Sequence, residues 1–136
     1  EKSALVYKDN DITVEAMHVP HGIVPAIAFK VRVAGETLVF GSDHNGSKES
    51  FKEFAKDASL LVMHLVVPED ISGVGRKLHA PPSVVGNIAA AANPDKLLLS
   101  HFMARSLRDL DNNVALVKEA YPGDVSLAED LACIVL

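Results

Sequence analysis

The hydrophobic pattern of this chain switches once, after Ser47, and that switch limits the fold more than any other feature. Before it the apolar residues come in short runs rich in Val, Ile and Phe: ALVYK, ITVEAMHV, PAIAFKVRVA and ETLVF. Turn signals separate these runs, so they read as strands. Asp9-Asn10-Asp11 makes the first turn, and Ala34-Gly35-Glu36 a tight hairpin. ITVEAMHV alternates, with Ile12, Val14, Ala16 and His18 on one face and Thr13, Glu15 and Met17 on the other.

After the switch, strands and helices take turns. Ser47 is a good helix N-cap, and KESFKEFAKDA carries Phe51, Phe54 and Ala55 at helical spacing. SLLVMHLVV is a continuous apolar run, the pattern of a strand covered on both faces. PEDISGVGRKLHAPP, residues 68–82, holds three Pro and two Gly and reads as a long loop. Ser83 to Asn93 reads as a small-residue helix, with Val84, Ile88 and Ala91 or Ala92 on one face and Gly86 permitting close packing. KLLLSHF is a further buried strand. Asp111 to Tyr121 is a helix that turns Val114, Leu116 and Val117 inward and closes at Pro122-Gly123. DVSLAED and LACIVL supply a last strand and a short terminal element. Hairpins followed by strand–helix alternation predict an α/β fold of the α+β mixed-sheet kind, with helices packed on the sheet. Residues 1–136 form one unit, with no internal repeat or linker.

Composition narrows the function classes. The chain is 49% hydrophobic and 23% charged, enough apolar residue for a sizeable core. Net charge is −5, and the basic residues are scattered, so nothing supports a nucleic-acid partner. No apolar run approaches the roughly 18 residues of a membrane span. The single cysteine, Cys133 in LACIVL, forms no intramolecular disulfide and reads as a small buried hydrophobe in a reducing, cytoplasmic setting. With no His nearby in sequence, a thiol enzyme is a poor reading. The chain does not begin with Met, and targeting signals are not read from it.

Polar groups fall where apolar strands end. His21 follows AMHVP, Asp43 follows LVFGS, His64 sits late in SLLVMH, and His101 follows KLLLS; the long loop adds His79. Loops at strand C-terminal ends are where α/β sheets build sites. Several His and one Asp there are the ligand types of a zinc or iron site. Taken singly, each has a structural alternative: a satisfied histidine, or an Asp that forms a turn or caps a helix before Asn45-Gly46. Periodicity leaves both readings open.

The segments HVPHGIVPAIAFKV, VFGSD and LHAPPSVVGNIAAAANPDKLLLSHFMAR together resemble the C-terminal half of metallo-β-lactamase-fold hydrolases, in the branch of ribonuclease Z and the arylsulfatase-like enzymes. The resemblance runs from about Ile12 to Asp130. It implies the C-terminal half of an αβ/βα four-layer sandwich, the N-terminal half being absent. It also implies a hydrolase that cleaves a phosphodiester, sulfate or similar small ester with a hydroxide activated by metal, zinc foremost, two ions per complete site. By that resemblance His21 matches a ligand of the first metal, Asp43 the carboxylate bridging both, and His101 a ligand of the second. His79, 22 residues before His101, matches the loop His that protonates or stabilises the reacting phosphate, as general acid. Where ribonuclease Z has His-Ser-Thr, this chain has His79-Ala80-Pro81, which argues against tRNA 3′ processing. His64 falls where a His-Glu pair is usual, but no acidic residue adjoins it; Glu69 or Asp70 would have to serve. His44 stands where Thr is usual, as a surface or supporting group, and His18 is structural.

The family's strongest signature, His-x-His-x-Asp-His, is nowhere in the chain. Without it each metal keeps two protein ligands, too few to hold catalytic zinc tightly. The chain is therefore expected to be inactive or weak alone. A half-sandwich would also leave the inner face of its sheet bare, with Val14, Ala16, Phe29 and Val31 on it, and would self-associate as a homo-oligomer. The alternative is a non-catalytic, self-associating module with no specific metal.

Overall fold

The computed structural model describes residues 2–136. Its sheet has seven strands in sequence order: β1 (Ala4–Lys8), β2 (Ile12–Val19), β3 (Ala26–Val33), β4 (Glu36–Phe40), β5 (Leu60–His64), β6 (Lys96–Ser100) and β7 (Asp124–Leu127). β1 to β4 are antiparallel, and β4 to β7 parallel. The turn chemistry accounts for the first half. Asp9 Oδ1 accepts the N–H groups of Asp11 and Ile12 at 2.9 and 2.7 Å, closing the β1–β2 turn. Ala34 and Gly35 both take positive φ, 52° and 87°, as a two-residue hairpin loop requires.

Each parallel step carries helix: α1 (Glu49–Phe54) before β5, α2 (Gly73–Leu78) and α3 (Pro82–Ala92) before β6, α4 (Ala104–Leu107) and α5 (Leu110–Ala120) before β7. The strand order never reverses, so right-handed crossovers put the helices on one side of the sheet. The core lies there. Met17, Val19, Ala28, Val39, Leu61, Met63, Leu97 and Leu99 from alternate strand positions pack with Phe51, Phe54, Val85, Ile88, Ala89 and Val117. Lys30 shares that face. It is buried, its Nζ lies 4.6 Å from the centre of the Phe54 ring, and burial lowers its pKa.

The other face stays largely uncovered. The register sets Ala16, Phe29, Phe40, Val62 and Leu98 in one row across five strands. Ile27 (46% exposed), Phe29 (40%) and Phe40 (42%) are open to solvent there. Toward β6 the tail crosses, and Lys96 Nζ donates to Val135 O at 2.7 Å.

Several local expectations are corrected. Ser47 is not the N-cap of α1: Lys48 is, and the Ser47 hydroxyl donates to Asn45 Oδ1 at 2.7 Å instead. The stretch 68–82 is not wholly loop, because α2 forms inside it. In α3 the buried positions are Val85, Gly86, Ile88, Ala89 and Ala92, with Val84 only partly buried. In α5 Asn113 is buried with Val117, donating to Ser106 O at 2.9 Å, whereas Leu116 is only partly covered. LACIVL forms neither strand nor helix, so Cys133 has no core to enter and is exposed.

Gly86 does permit close packing. A Cβ there would lie 2.5 Å from Val117 O and 3.0 Å from Ala120 Cβ, so α3 and α5 touch nearly backbone to backbone. Gly86→Ala is expected to lose about 1–3 kcal/mol through overpacking, read as a lower urea midpoint at unchanged slope.

Candidate metal centre

β2, β4, β5 and β6 run in the same direction, so their C-terminal ends share one edge of the sheet. His21 lies two residues past β2, Asp43 three past β4, His64 ends β5, and His101 directly follows β6. Two of these loops adopt left-handed backbone at residues other than glycine: Ser42 at φ 58° and His101 at φ 54°. Such conformations cost about 1–3 kcal/mol each and persist where surroundings enforce them. Here they turn Asp43 and His101 toward each other, and His101 Nε2 lies 3.2 Å from Asp43 Oδ2. Asp43 therefore pairs with His101, and no cap hydrogen bond is made to α1.

His79 reaches the same edge from the loop after α2. One donor atom each from His21, Asp43 and His79 lie within 4.8 Å of one another. The His21 and His79 rings meet edge to face at 5.0 Å, and those of His79 and His101 at 6.3 Å. His21 Nε2 and His79 Nδ1 are buried and find no protein partner among the described residues. A buried polar atom without a partner costs about 1–3 kcal/mol. A divalent cation fits this donor set, since two imidazole nitrogens and a carboxylate oxygen are ordinary zinc ligands.

The fold has counterparts in solved structures. The chain is similar to the metallo-beta-lactamase fold protein YhfI from Bacillus subtilis, at TM-score 0.77 and 23% identity, over 95% of this chain and 50% of that one. Human tRNase Z, short form, superposes at TM-score 0.76 and 21% identity, over 98% of this chain and 46% of that one. Zn(2+)-bound PqqB from Methylobacterium extorquens gives 0.69 and 14%, over 98% and 53%. The chain has the metallo-β-lactamase fold. It spans about half the length of these structures, as the resemblance implied. No protein-family model matches the sequence, and no curated protein is significantly similar to it.

In this half of a metallo-β-lactamase fold, His64 and His44 brace the loops around the donor group. His64 is buried. Its Nδ1 lies 3.1 Å from Ser42 O, so that nitrogen carries the proton, and Ala80 N–H approaches its Nε2 at 3.2 Å. One ring thus ties the Asp43 loop to the His79 loop. Neither acidic candidate pairs with it: Glu69 instead accepts Ser83 N–H at 2.9 Å at the start of α3, and Asp70 is exposed. His44 is not on the surface but 1% exposed, against the Phe51 ring at 4.7 Å. Its Nδ1 accepts Gly46 N–H, while its Nε2 is buried without a partner. Burial pushes the His44 pKa down to about 4, with His21 and His79 nearby adding to the shift. Burial also pushes the pKa of His64 well down, and lowers that of His79 against the pull of Asp43. All three are therefore neutral near pH 7. His18 is exposed on the open face, and its carbonyl accepts Lys48 Nζ at 2.7 Å.

Sequence reasoning missed the residue that joins these loops. Asn45 N–H donates to Pro20 O at 2.9 Å, beside His21. Asn45 Nδ2 donates to Lys77 O at 3.1 Å, its carbonyl accepts Arg76 at 2.9 Å, and its Oδ1 accepts Ser47 N–H at 3.0 Å. Its neighbour Gly46 has φ 78°, and a Cβ there would meet Val84 Cγ1 at 2.4 Å. The Asn-Gly pair announces a turn, but its partners are set by tertiary contact. Asn45→Ala removes the side-chain bonds to Lys77 and Ser47 and is expected to cost about 1–3 kcal/mol; amide exchange should quicken at Ser47 and in residues 76–80 but not in 20–22, which the Asn45 main chain still holds.

Proposed function

We propose that this chain is the half of a metal-dependent hydrolase that carries His21, Asp43, His79 and His101, acting on a phosphodiester, a sulfate ester or a similar small ester. The observation that supports this reading is the meeting of these four residues at one sheet edge, with His21 Nε2 and His79 Nδ1 buried and unpaired. His21, Asp43 and His101 are the residues that would hold metal, zinc being the natural ion for such donors. When bound there, a divalent ion supplies Lewis acidity and lowers the pKa of water. Asp43 offers two carboxylate oxygens, one toward His101 and another for a second donor group, which suits a bridging position. His79 has the His21 and His101 rings on either hand, where its imidazole N–H can stabilise a leaving oxygen and, when the ring is charged, protonate it as general acid.

Asp43 and His101 border a cavity of about 200 Å³ with Phe40, Val62 and Ser100. The row of residues on the uncovered face leads to it. A second half laid on that face, in the same polypeptide or another, would bring further ligands to this side of the site. A fusion of this chain behind the His-x-His-x-Asp-His half of a metallo-β-lactamase-fold relative is expected to hydrolyse bis(p-nitrophenyl) phosphate or p-nitrophenyl sulfate. Asp43→Ala should abolish turnover, and His79→Ala should lower kcat by about 10²–10⁴. A folded, zinc-loaded fusion inert on both substrates would count against the hydrolase reading.

The open face supports a second reading, a self-associating module. Ile27, Phe29 and Phe40 stand exposed in adjacent strands, and contiguous apolar surface of this kind is rare on monomers. Sedimentation velocity of the chain alone is expected to show concentration-dependent homo-oligomers that a Phe29→Lys, Phe40→Lys double variant dissolves. A wild-type chain that stays monomeric throughout would exclude that reading.

A further inference from the structure

We propose that His79 is itself a metal ligand in this chain, closing with His21 and Asp43 a mononuclear site that needs no donor from outside the 136 residues. The inference rests on the reading above that this edge holds metal, and departs from it in the work given to His79.

The geometry separates His79 from His101. Donor atoms of His21, Asp43 and His79 are mutually within 4.8 Å, and no other group of His, Cys, Asp or Glu among the described residues meets that condition. Tetrahedral bonds of about 2.1 Å place neighbouring ligand atoms roughly 3.4 Å apart. The three donors therefore have to close by little more than an ångström, within reach of small side-chain rotations. The two histidines of this group also carry the buried nitrogens that lack partners, His21 Nε2 and His79 Nδ1. His101 differs on both counts. Its Nε2 already has Asp43 Oδ2 at 3.2 Å, its side chain is 49% exposed, and it borders the cavity toward the uncovered face.

The His79 loop is also built to hold a ligand still. His79 N–H donates to Gly75 O at 2.9 Å, and Ala80 N–H donates to His44 O at 2.8 Å. Lys77 O takes the Asn45 amide and Arg76 reaches Asn45 O, so the loops of Asp43 and His79 are cross-linked on both sides of the site. Three protein ligands with a remaining open position is the usual composition of a reactive zinc centre. His101 is then free for a second ion or for a substrate oxygen once the uncovered face is filled.

The test uses the chain alone, stripped with chelator and titrated with Co²⁺, read by visible absorption and calorimetry. One ion per chain is expected, with the chain monomeric or its oligomeric state unchanged by the ion. His79→Ala is expected to weaken binding at least tenfold, about the loss seen when even an outer partner of a ligand is removed. His101→Ala removes only a partner of Asp43 and is expected to weaken binding less than His79→Ala does, by no more than about tenfold. Circular dichroism checks that each variant folds. Zn²⁺-induced shifts of the His79 ring nitrogens in ¹⁵N NMR of the wild type give the same answer without a substitution. Loss of binding in His101→Ala with retention in His79→Ala would overturn the proposal, as would half an ion per chain, unmoved His79 ring nitrogens, or no binding at all. A chain that binds no Co²⁺ while the fused, completed domain turns over substrate sinks this inference and leaves the hydrolase reading standing. One ion held through His79, with an inert completed domain, does the reverse.

Discussion

Four strands, β4 to β7, lie parallel in unreversed order, and the rest of the architecture follows from that arrangement. Parallel neighbours need crossovers, crossovers keep one hand, and an unreversed order sends each to the same side of the sheet. The apolar side chains of β2 to β6 that point to that side find helices, and those pointing away find only solvent or the tail. One physical constraint thus produces both the packed core of Leu61, Met63, Leu97 and Leu99 and the bare row through Phe29 and Phe40. It also aligns the C-terminal ends of the strands that deliver His21, Asp43, His64 and His101.

The edge is stabilised by groups outside the proposed metal-binding set. Ser42 and His101 sit in left-handed backbone, and three buried nitrogens lack partners among the described residues. Those costs are offset locally by short-range ties between loops. His64 spans Ser42 and Ala80, and Asn45 holds the His21 loop, α2 and its own turn together. A site assembled from four separated segments needs such ties, because every loop alone would sample many conformations. The buried nitrogens without partners among the described residues all belong to histidines at this edge, as expected of a binding site.

Much of the fold was legible. The seven strands follow from short apolar runs, the turns from Asp9-Asn10-Asp11 and Ala34-Gly35, and the close helix contact from Gly86. Errors arose where local chemistry competed with tertiary contact. Ser47 has the side chain of an N-cap, yet Asn45 uses its hydroxyl. Cys133 sits in an apolar run, yet the run has no strand partner and lies exposed. His44 resembles a surface residue in sequence, and is buried because Phe51 and His64 close over it.

The sequence by itself determined which segments become strands, where the pattern changes from hairpins to crossovers, and that His21, Asp43, His79 and His101 fall at the ends of elements. These are local matters of period and residue type, written along the chain. Only the tertiary structure decided how those residues meet. Whether His79 or His101 stands with His21 and Asp43, which nitrogens are left without partners, and which face of the sheet stays bare depend on contacts between segments about 20 to 80 residues apart. No local pattern encodes such distances, because they arise only when the packed core fixes all the loops at once.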